Sequence, residues 1–471
     1  MTTINASANG HAADQSVIGR AARKTTPRGS HSDWEPGADR RDPVEILEAQ
    51  AVTRVQELLP IRYGRMLSSP FAFYRGAAAV MAADLATTPT SGIRTQLVGD
   101  AHLSNFGAYA APDRSLVWDA NDFDETLPGP WEWDLKRLVA SYAIAGRERG
   151  FDKRERTKIN LAPARAYREA MQTFATMRAT DIWYLRLDID EMVRRLHAQA
   201  LTARGKRVQA AAAKARTKDN LKAFAKLTHL VDGKPRFRSD PPLLVPVHEL
   251  LPEGEAHDVE GQLKRLLRDY RRSLPPHHRR LIDRYRPVDF ARKVVGVGSV
   301  GTRAWVILML GPGESDPLFL QAKEASPSVL EPYAGASRTR TQGQRVVEGQ
   351  KLMQAASDIL LGHLRTGWTL DGQTRDFYVR QLWDSKASAE VELMDPEGLR
   401  IHGQVCGWTL ARAHARAGEP AAIAAYAGRS DRLDRALAEF AETYADQNER
   451  DYAALASAAR AGVVTAGPAL R

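Results

Sequence analysis

The sequence predicts an α+β fold in two lobes, a mainly helical large lobe and a small lobe built on an antiparallel sheet. Three observations predict it. Helical periodicity runs from Val44 to about Leu230 and resumes near Gln404. Between these stretches, Lys293–Ala325 and Asp376–Trp383 are rich in valine, isoleucine and aromatics and are bounded by glycine turns, which is strand texture. Two short apolar runs, Ile93–Val98 and Ser115–Asp119, each lead into a polar, acid-rich loop.

Taken in order, residues 1–42 are polar and charged and read as a disordered arm. Residues 43–286 form the helical large lobe, opening on VEILEAQAVTRVQELL and a second helix over Phe71–Ala86. Residues 287–386 form the small β-rich lobe, with one helix, Gln344–Leu361, between its strands, and residues 387–471 complete the helical part. Proline pairs at Pro241-Pro242 and Pro275-Pro276 separate helices within the large lobe.

Composition narrows the class. The chain has 471 residues, 43% hydrophobic and 26% charged, an ordinary balance for a globular protein. A single cysteine, Cys406, excludes a disulfide scaffold and a cysteine zinc site within one chain. The N-terminus has no basic region followed by an apolar core, and no apolar run approaches the roughly 20 residues of a bilayer span, so a cytoplasmic protein without a membrane partner is expected. The net charge of +10 is concentrated partly in Arg204–Lys222 and Lys264–Arg286. Aromatics do not interleave with the first of these stretches, so it reads as a solvated helix face rather than a nucleic-acid platform.

The densest chemistry lies between Gly99 and Asp134. GDAHLSNFG packs Asp100, His102 and Asn105 into one strand-exit loop, NDFDET adds Asp122, Asp124 and Glu125, and WEWDLKR supplies Asp134 as a helix begins. Hard oxygen ligands on adjacent loops, an amide among them, suit Mg²⁺ or Mn²⁺ completed by substrate phosphates. A kinase catalytic loop places its aspartate five residues before an asparagine, with a further metal aspartate on the next loop. Asp100 and Asn105 have that separation, and Asp122 stands in the later position. On this reading Asp100 accepts a hydroxyl proton while Asn105, Asp122 and Asp124 hold the metal. Gly-Asp-x-His also occurs in metallophosphoesterases, but the chain has neither an Asn-His nor a second Asp-x-His to complete such a site.

The phosphate-binding half appears far downstream. KVVGVGSVGTRAWVILML contains Gly296, Gly298, Ser299 and Gly301, and FLQAKEA follows with Lys323. In a dinucleotide fold such glycines lead straight into a helix. Here they lead into a β-rich run, so the loop joins two strands that would cover the phosphates, with Lys323 adding a point charge. Glu348 on the following helix is the candidate partner of Lys323, with Glu324 and Glu331 competing. FYVRQLWD reads as a last strand entering the linker between lobes, beside which adenine is expected.

GDAHLSNFG, NDFDET and WEWDLKRLVAS together resemble the aminoglycoside phosphotransferase branch of the protein-kinase-like superfamily. From about residue 40 the chain resembles more closely an uncharacterised bacterial family, domain-of-unknown-function family 2252, which supplies no substrate. The superfamily resemblance implies a kinase-like two-lobed fold, Asp100 as base, Asn105 and Asp122 as metal ligands, and Asp134 as a brace of the catalytic loop. GQVCGWTLARAHARAG, around His414, resembles the helix that precedes that loop, which makes the lobes circularly permuted; a competing reading gives that place to Phe71–Ala86.

The expected function is therefore ATP- and Mg²⁺-dependent phosphoryl transfer to a hydroxyl of an unknown, small-molecule acceptor. Alternatives are a nucleotide-binding regulatory pseudokinase and a nucleotidyl transferase; a metallophosphoesterase or a nucleic-acid-binding protein leaves more of the residues unexplained. Arg75, Arg380-Gln381 and Asp446-Gln447 have no role assigned by these patterns.

Overall fold

Strand pairing places the two acid-rich loops beside each other. In the computed structural model, which describes residues 2–198, 202–217, 219–250, 259–313, 316–367, 372–382 and 385–470, β1 (Arg94–Leu97) is followed by β2 (Phe106–Ala110), β3 (Leu116–Ala120) and β4 (Leu127–Pro130). β1 pairs with β4 and β2 with β3, both antiparallel, so the loops leaving β1 and β3 converge. β5 (Leu187–Asp188) flanks β3, and β6 (Thr228–Val231) and β7 (Lys234–Phe237) form a separate hairpin.

A six-stranded antiparallel sheet follows. Its strands are β8 (Leu244–Pro246), β9 (Arg286–Lys293), β10 (Ala304–Leu310), β11 (Pro317–Glu324), β12 (Gly362–Thr366) and β13 (Arg375–Gln381), in the order β12-β13-β11-β10-β9-β8. Both faces are covered. The helix Val259–Ser273 packs Leu263 and Tyr270 on Phe290, Ile307 and Leu320, while the helix Asn220–Leu227 packs Ala223 and Leu227 against Val306, Leu308 and Phe319. Burial on both sides explains why β10 and β11 read as nearly continuous apolar runs. β14 (Ala387–Ser388) then pairs with β2, tying the sheet's exit to the acid-loop hairpin.

The large core is helical. Trp131–Glu148 is buried along almost its whole length among the helices Lys153–Phe174, Pro396–Ala417 and Arg432–Arg460. A Cβ on Gly407 would lie 2.2 Å from the Pro163 carbonyl oxygen, so glycine there sets how closely two of these helices approach. The C-terminal end of Pro396–Ala417 lies against β1, with Thr95 Oγ1 donating to the His414 carbonyl oxygen at 3.4 Å. The expected helix Phe71–Ala86 is instead two short helices, Pro70–Gly76 and Ala78–Leu85, separated at Ala77.

Two boundaries differ from expectation. The arm at 1–42 forms a helix, Thr2–Thr25, against Pro420–Ala427, and Trp34 is buried beside Phe440 and Tyr444. Arg40 fastens it further, meeting Asp84 at 2.7 Å and Asp451 at 2.6 Å. Arg23 and Arg28, which donate to carbonyls at the end of Pro420–Ala427, and His31, which meets the Tyr426 hydroxyl at 2.7 Å, add to the hold on a segment whose composition is that of a coil. The small lobe also begins before residue 287, because β8 belongs to its sheet and Val259–Ser273 covers it. Trp383 and Asp384, expected at the end of the last strand, lie outside the described residues. Among the described residues, no helix is long and apolar enough to cross a membrane.

Candidate functional site

The loop after β1 is shaped by backbone accounting. Asp134, in the first turn of its helix, accepts from the Val98 N–H at 2.6 Å and the Gly99 N–H at 2.9 Å, and His414 Nε2 lies 3.1 Å from Oδ2, the oxygen that accepts from Val98. Gly99 has φ +90° and a Cβ there would meet the Glu125 carbonyl oxygen at 2.2 Å, so only glycine lets the two acid loops touch. Asp134 thus braces the loop, and His414 reaches it from the helix Pro396–Ala417.

Asp100 follows at the cavity wall. Its Oδ1 accepts from Arg137 Nε at 2.8 Å, and Arg137 lies over the Tyr74 ring at 3.9 Å. His102 Nε2 stands 3.8 Å from Asp100 Oδ2, while burial lowers the imidazole to about 3, so His102 is neutral at ordinary pH. Asn105 Nδ2 donates to the Asp100 carbonyl oxygen at 2.8 Å, which fixes the amide; among the described residues its Oδ1 has no donor.

The loop after β3 meets the six-stranded sheet. Lys323 Nζ on β11 lies 2.6 Å from Asp124 Oδ2 and 3.5 Å from Asp122 Oδ1, and Tyr378 on β13 donates to Asp124 Oδ1 at 2.5 Å. Burial opposes the charge on Asp122, but Lys323, Arg380 and Lys386 overcome it and hold its carboxyl well below the usual range. The same contacts keep Lys323 protonated against its burial. Burial, reinforced by the like charge of Arg380, lowers Lys386 to about 7.

The glycine-rich loop between β9 and β10 closes the space from above. Gly298 and Ser299 line it, Ser299 Oγ lying 3.5 Å from Asp124 Oδ2. Gly296 and Gly301 have φ +65° and +89° and turn the loop. The loop is clamped from the N-terminal side: Arg54 Nη1 donates to the Gly298 and Val300 carbonyls at 2.8 and 2.6 Å, and Arg65 Nη1 to that of Gly296 at 2.5 Å. The result is one cavity of about 260 Å³ whose wall includes Asp100, Asn105, Asp122, Asp124, Gly298 and Ser299.

A model of one family matches residues 54–458. The chain belongs to the bacterial family DUF2252. That family carries the description "Uncharacterized protein conserved in bacteria". No curated protein and no solved structure matches this DUF2252 chain.

Among the described residues of this DUF2252 member, no group of three or more His, Cys, Asp or Glu side chains is arranged to hold a metal ion. Asp122 meets Lys323 at 3.5 Å through Oδ1 and Asn105 is held through its Nδ2, whereas both Asp124 oxygens are engaged by Tyr378 and Lys323. Two hard oxygen ligands fit Mg²⁺, which keeps its waters and takes substrate phosphates for the rest. Asp124, expected beside Asn105 and Asp122 as a ligand, is held here by Lys323 and Tyr378.

The Lys323–Glu348 pair does not form. Glu348 is exposed and accepts from Gln344 at 2.7 Å, while Glu324 binds Arg303 and Arg375, and Glu331 binds Gln342. On the same helix, Gln342–Met353, it is Arg345 that faces the site, donating to the carbonyls of Asp124, Thr126 and Ser326 at 2.8–2.9 Å. Arg345, Arg137, Tyr378 and Arg54 carried no motif signal. Arg75 lines the cavity with a buried, unpartnered Nε, Arg380 donates to the Asn121 carbonyl, and Gln381 binds Asp358. Asp446 and Gln447 serve helix packing, bonding Arg147 and Asp451. Arg204 and Arg216 of the basic stretch are paired with Asp395 and Asp190.

Proposed function

We propose that this DUF2252 chain is an ATP- and Mg²⁺-dependent phosphotransferase with a permuted kinase-like arrangement, acting on a hydroxyl of a small-molecule acceptor. One observation carries the reading: Lys323 and Asp122, 201 residues apart in sequence, lie 3.5 Å apart beside a cavity that also holds Asp100, Asn105 and the Gly298–Ser299 turn. The contact of His414 with Asp134 supports the permuted order, since it sets the end of one helix against the start of β1.

Each group has a task in this reading. Asp100, oriented by Arg137, takes the acceptor's proton as its oxygen bonds to the γ-phosphorus and the bond to the β-phosphate oxygen breaks, releasing ADP. Asn105 and Asp122 hold the Mg²⁺, which neutralises phosphate charge when bound. The Gly298–Ser299 backbone approaches the phosphates, and Lys323 exchanges its contact with Asp124 for a phosphate oxygen.

Calorimetric titration of ATP, with Mg²⁺ and with EDTA, tests the composite site. Binding is expected only with Mg²⁺ and is expected to weaken about tenfold or more in both Asp122→Ala and Lys323→Ala. Equal affinity under both conditions removes the metal from the reading, and a loss confined to one variant removes the composite site.

A further inference from the structure

A second cavity, of about 380 Å³, lies on the opposite face of the six-stranded sheet, beneath the helix Val259–Ser273. Strand alternation puts it there: Lys323 and Tyr378 face the acid loops, whereas Ala322, Phe377 and Val379 face the helix. The wall is apolar, with Leu263, Leu267 and Tyr270 from the helix opposed to Phe290, Trp305 and Ile307 from the sheet. Protein cores are close-packed, and apolar voids hold water poorly, so a space of this size and chemistry suits an apolar body.

One end of the cavity is cationic. Arg54, Arg292 and Arg303 line it, with Glu57 the one acid on its wall among the described residues and Arg303 also paired with Glu324. Arg292 stands directly across from Trp305 in the β9–β10 ladder, so guanidinium and indole share the cavity face. Arg292 is only 7% exposed, and its Nε is buried with no partner. Its Nη2 meets Glu57 at 2.5 Å, but that carboxylate is 62% exposed and belongs to the rim. A buried guanidinium N–H left unanswered costs free energy that an anionic acceptor removes, and a charge-assisted bond in an apolar surround is a strong one.

We propose that this cavity is a binding site for a small amphiphile, an apolar chain with a carboxylate head, the head on Arg292 and the chain between Trp305 and Leu267. The site lies on the other face of the sheet from the proposed nucleotide cavity, with Arg54 bordering both. Its enclosure between sheet and helix selects a free acid rather than a lipid embedded in a bilayer.

Calorimetric titration of decanoate and of decanol into the full chain, without nucleotide, reads the proposal directly. Decanoate is expected to bind, and more tightly than decanol by about tenfold, the worth of a charge-assisted head contact. Arg292→Gln is expected to weaken decanoate about tenfold while leaving decanol within about threefold. Leu267→Trp, at a half-buried helix position where added bulk enters the cavity, is expected to abolish binding of both. Thermal melts of the two variants verify that each is folded. Absence of decanoate binding to the parent, equal affinity for decanol, or parent-like binding by folded Leu267→Trp overturns the proposal.

Discussion

Asp100 is held by Arg137 on one oxygen and faces the neutral His102 with the other. If it accepts the acceptor's proton, Asp100→Asn keeps its shape and loses its basicity. Turnover is expected to fall about 10²–10⁴-fold, with Mg²⁺-ATP affinity unchanged, as measured by transfer assay and titration on the same preparation. Glu125 gives a pH signature. Burial, partly offset by Arg345 and the Val329 N–H, raises its carboxyl from 4.5 to about 7, so the folded state binds a proton that the unfolded chain releases. Stability therefore falls as pH rises from about 4.5 to 7 and is flat above that. Glu125→Gln abolishes this slope. Its unfolding free energy from urea titration is expected to draw ahead of the parent's across that window, by on the order of 2 kcal/mol after allowance for water in the cavity. At this scale the sequence exposes residues in fixed spacing: Asp100, Asn105 and Asp122 line one cavity, and Asp134 bonds the loop that carries Asp100. It conceals Arg137, Arg54 and Tyr378, because an arginine or tyrosine that meets its partner only through the fold leaves no local pattern.

The helix expected over Gln344–Leu361 spans Gln342–Met353, so its existence was legible but its end and its phase were not. Gly349 carries no side chain because a Cβ there would meet Thr126 at 2.5 Å, so the helix presses on the loop that holds Asp124. The residue one turn earlier, Arg345, reaches that loop, and Glu348 is turned to solvent. Arg345→Ala is accordingly expected to leave three carbonyls short of a donor, destabilise the fold by about 1–3 kcal/mol and weaken Mg²⁺-ATP binding. Glu348→Ala is expected to stay within about 0.5 kcal/mol of the parent and to leave binding alone. Chemical denaturation and titration of the pair decide between the two side chains. The same limit explains the N-terminal segment. Polar composition describes its average residue, while particular residues, Trp34 and Arg40 among them, fix where it packs. Strand β8 was likewise unreadable, since three residues between prolines become a strand only through their pairing with β9.

Across the whole molecule, the cavity draws its wall from both the acid-loop hairpin and the six-stranded sheet. A ligand there binds only the assembled pair. Saturating Mg²⁺-ATP is expected to protect both parts from proteolysis together, with stabilisation of about 2.7 kcal/mol at a hundredfold excess over Kd. Protection of the sheet alone would place the nucleotide outside the shared cavity. The mixed α+β class was readable because strand-rich and helix-rich textures alternate over long stretches. The meeting of Lys323 with Asp122 was inferable only by requiring one site to hold both motifs, since nothing local joins them.

That separation has a consequence during synthesis. Asp122 leaves the ribosome 201 residues before Lys323, and His414, which meets Asp134, comes later still. At about 5–20 residues per second, the nascent acid loops wait roughly 10–40 s for their counter-charge. For that interval the carboxylates of the first half stand open to any cation or basic chaperone surface within reach, and the arrival of β11 ends it.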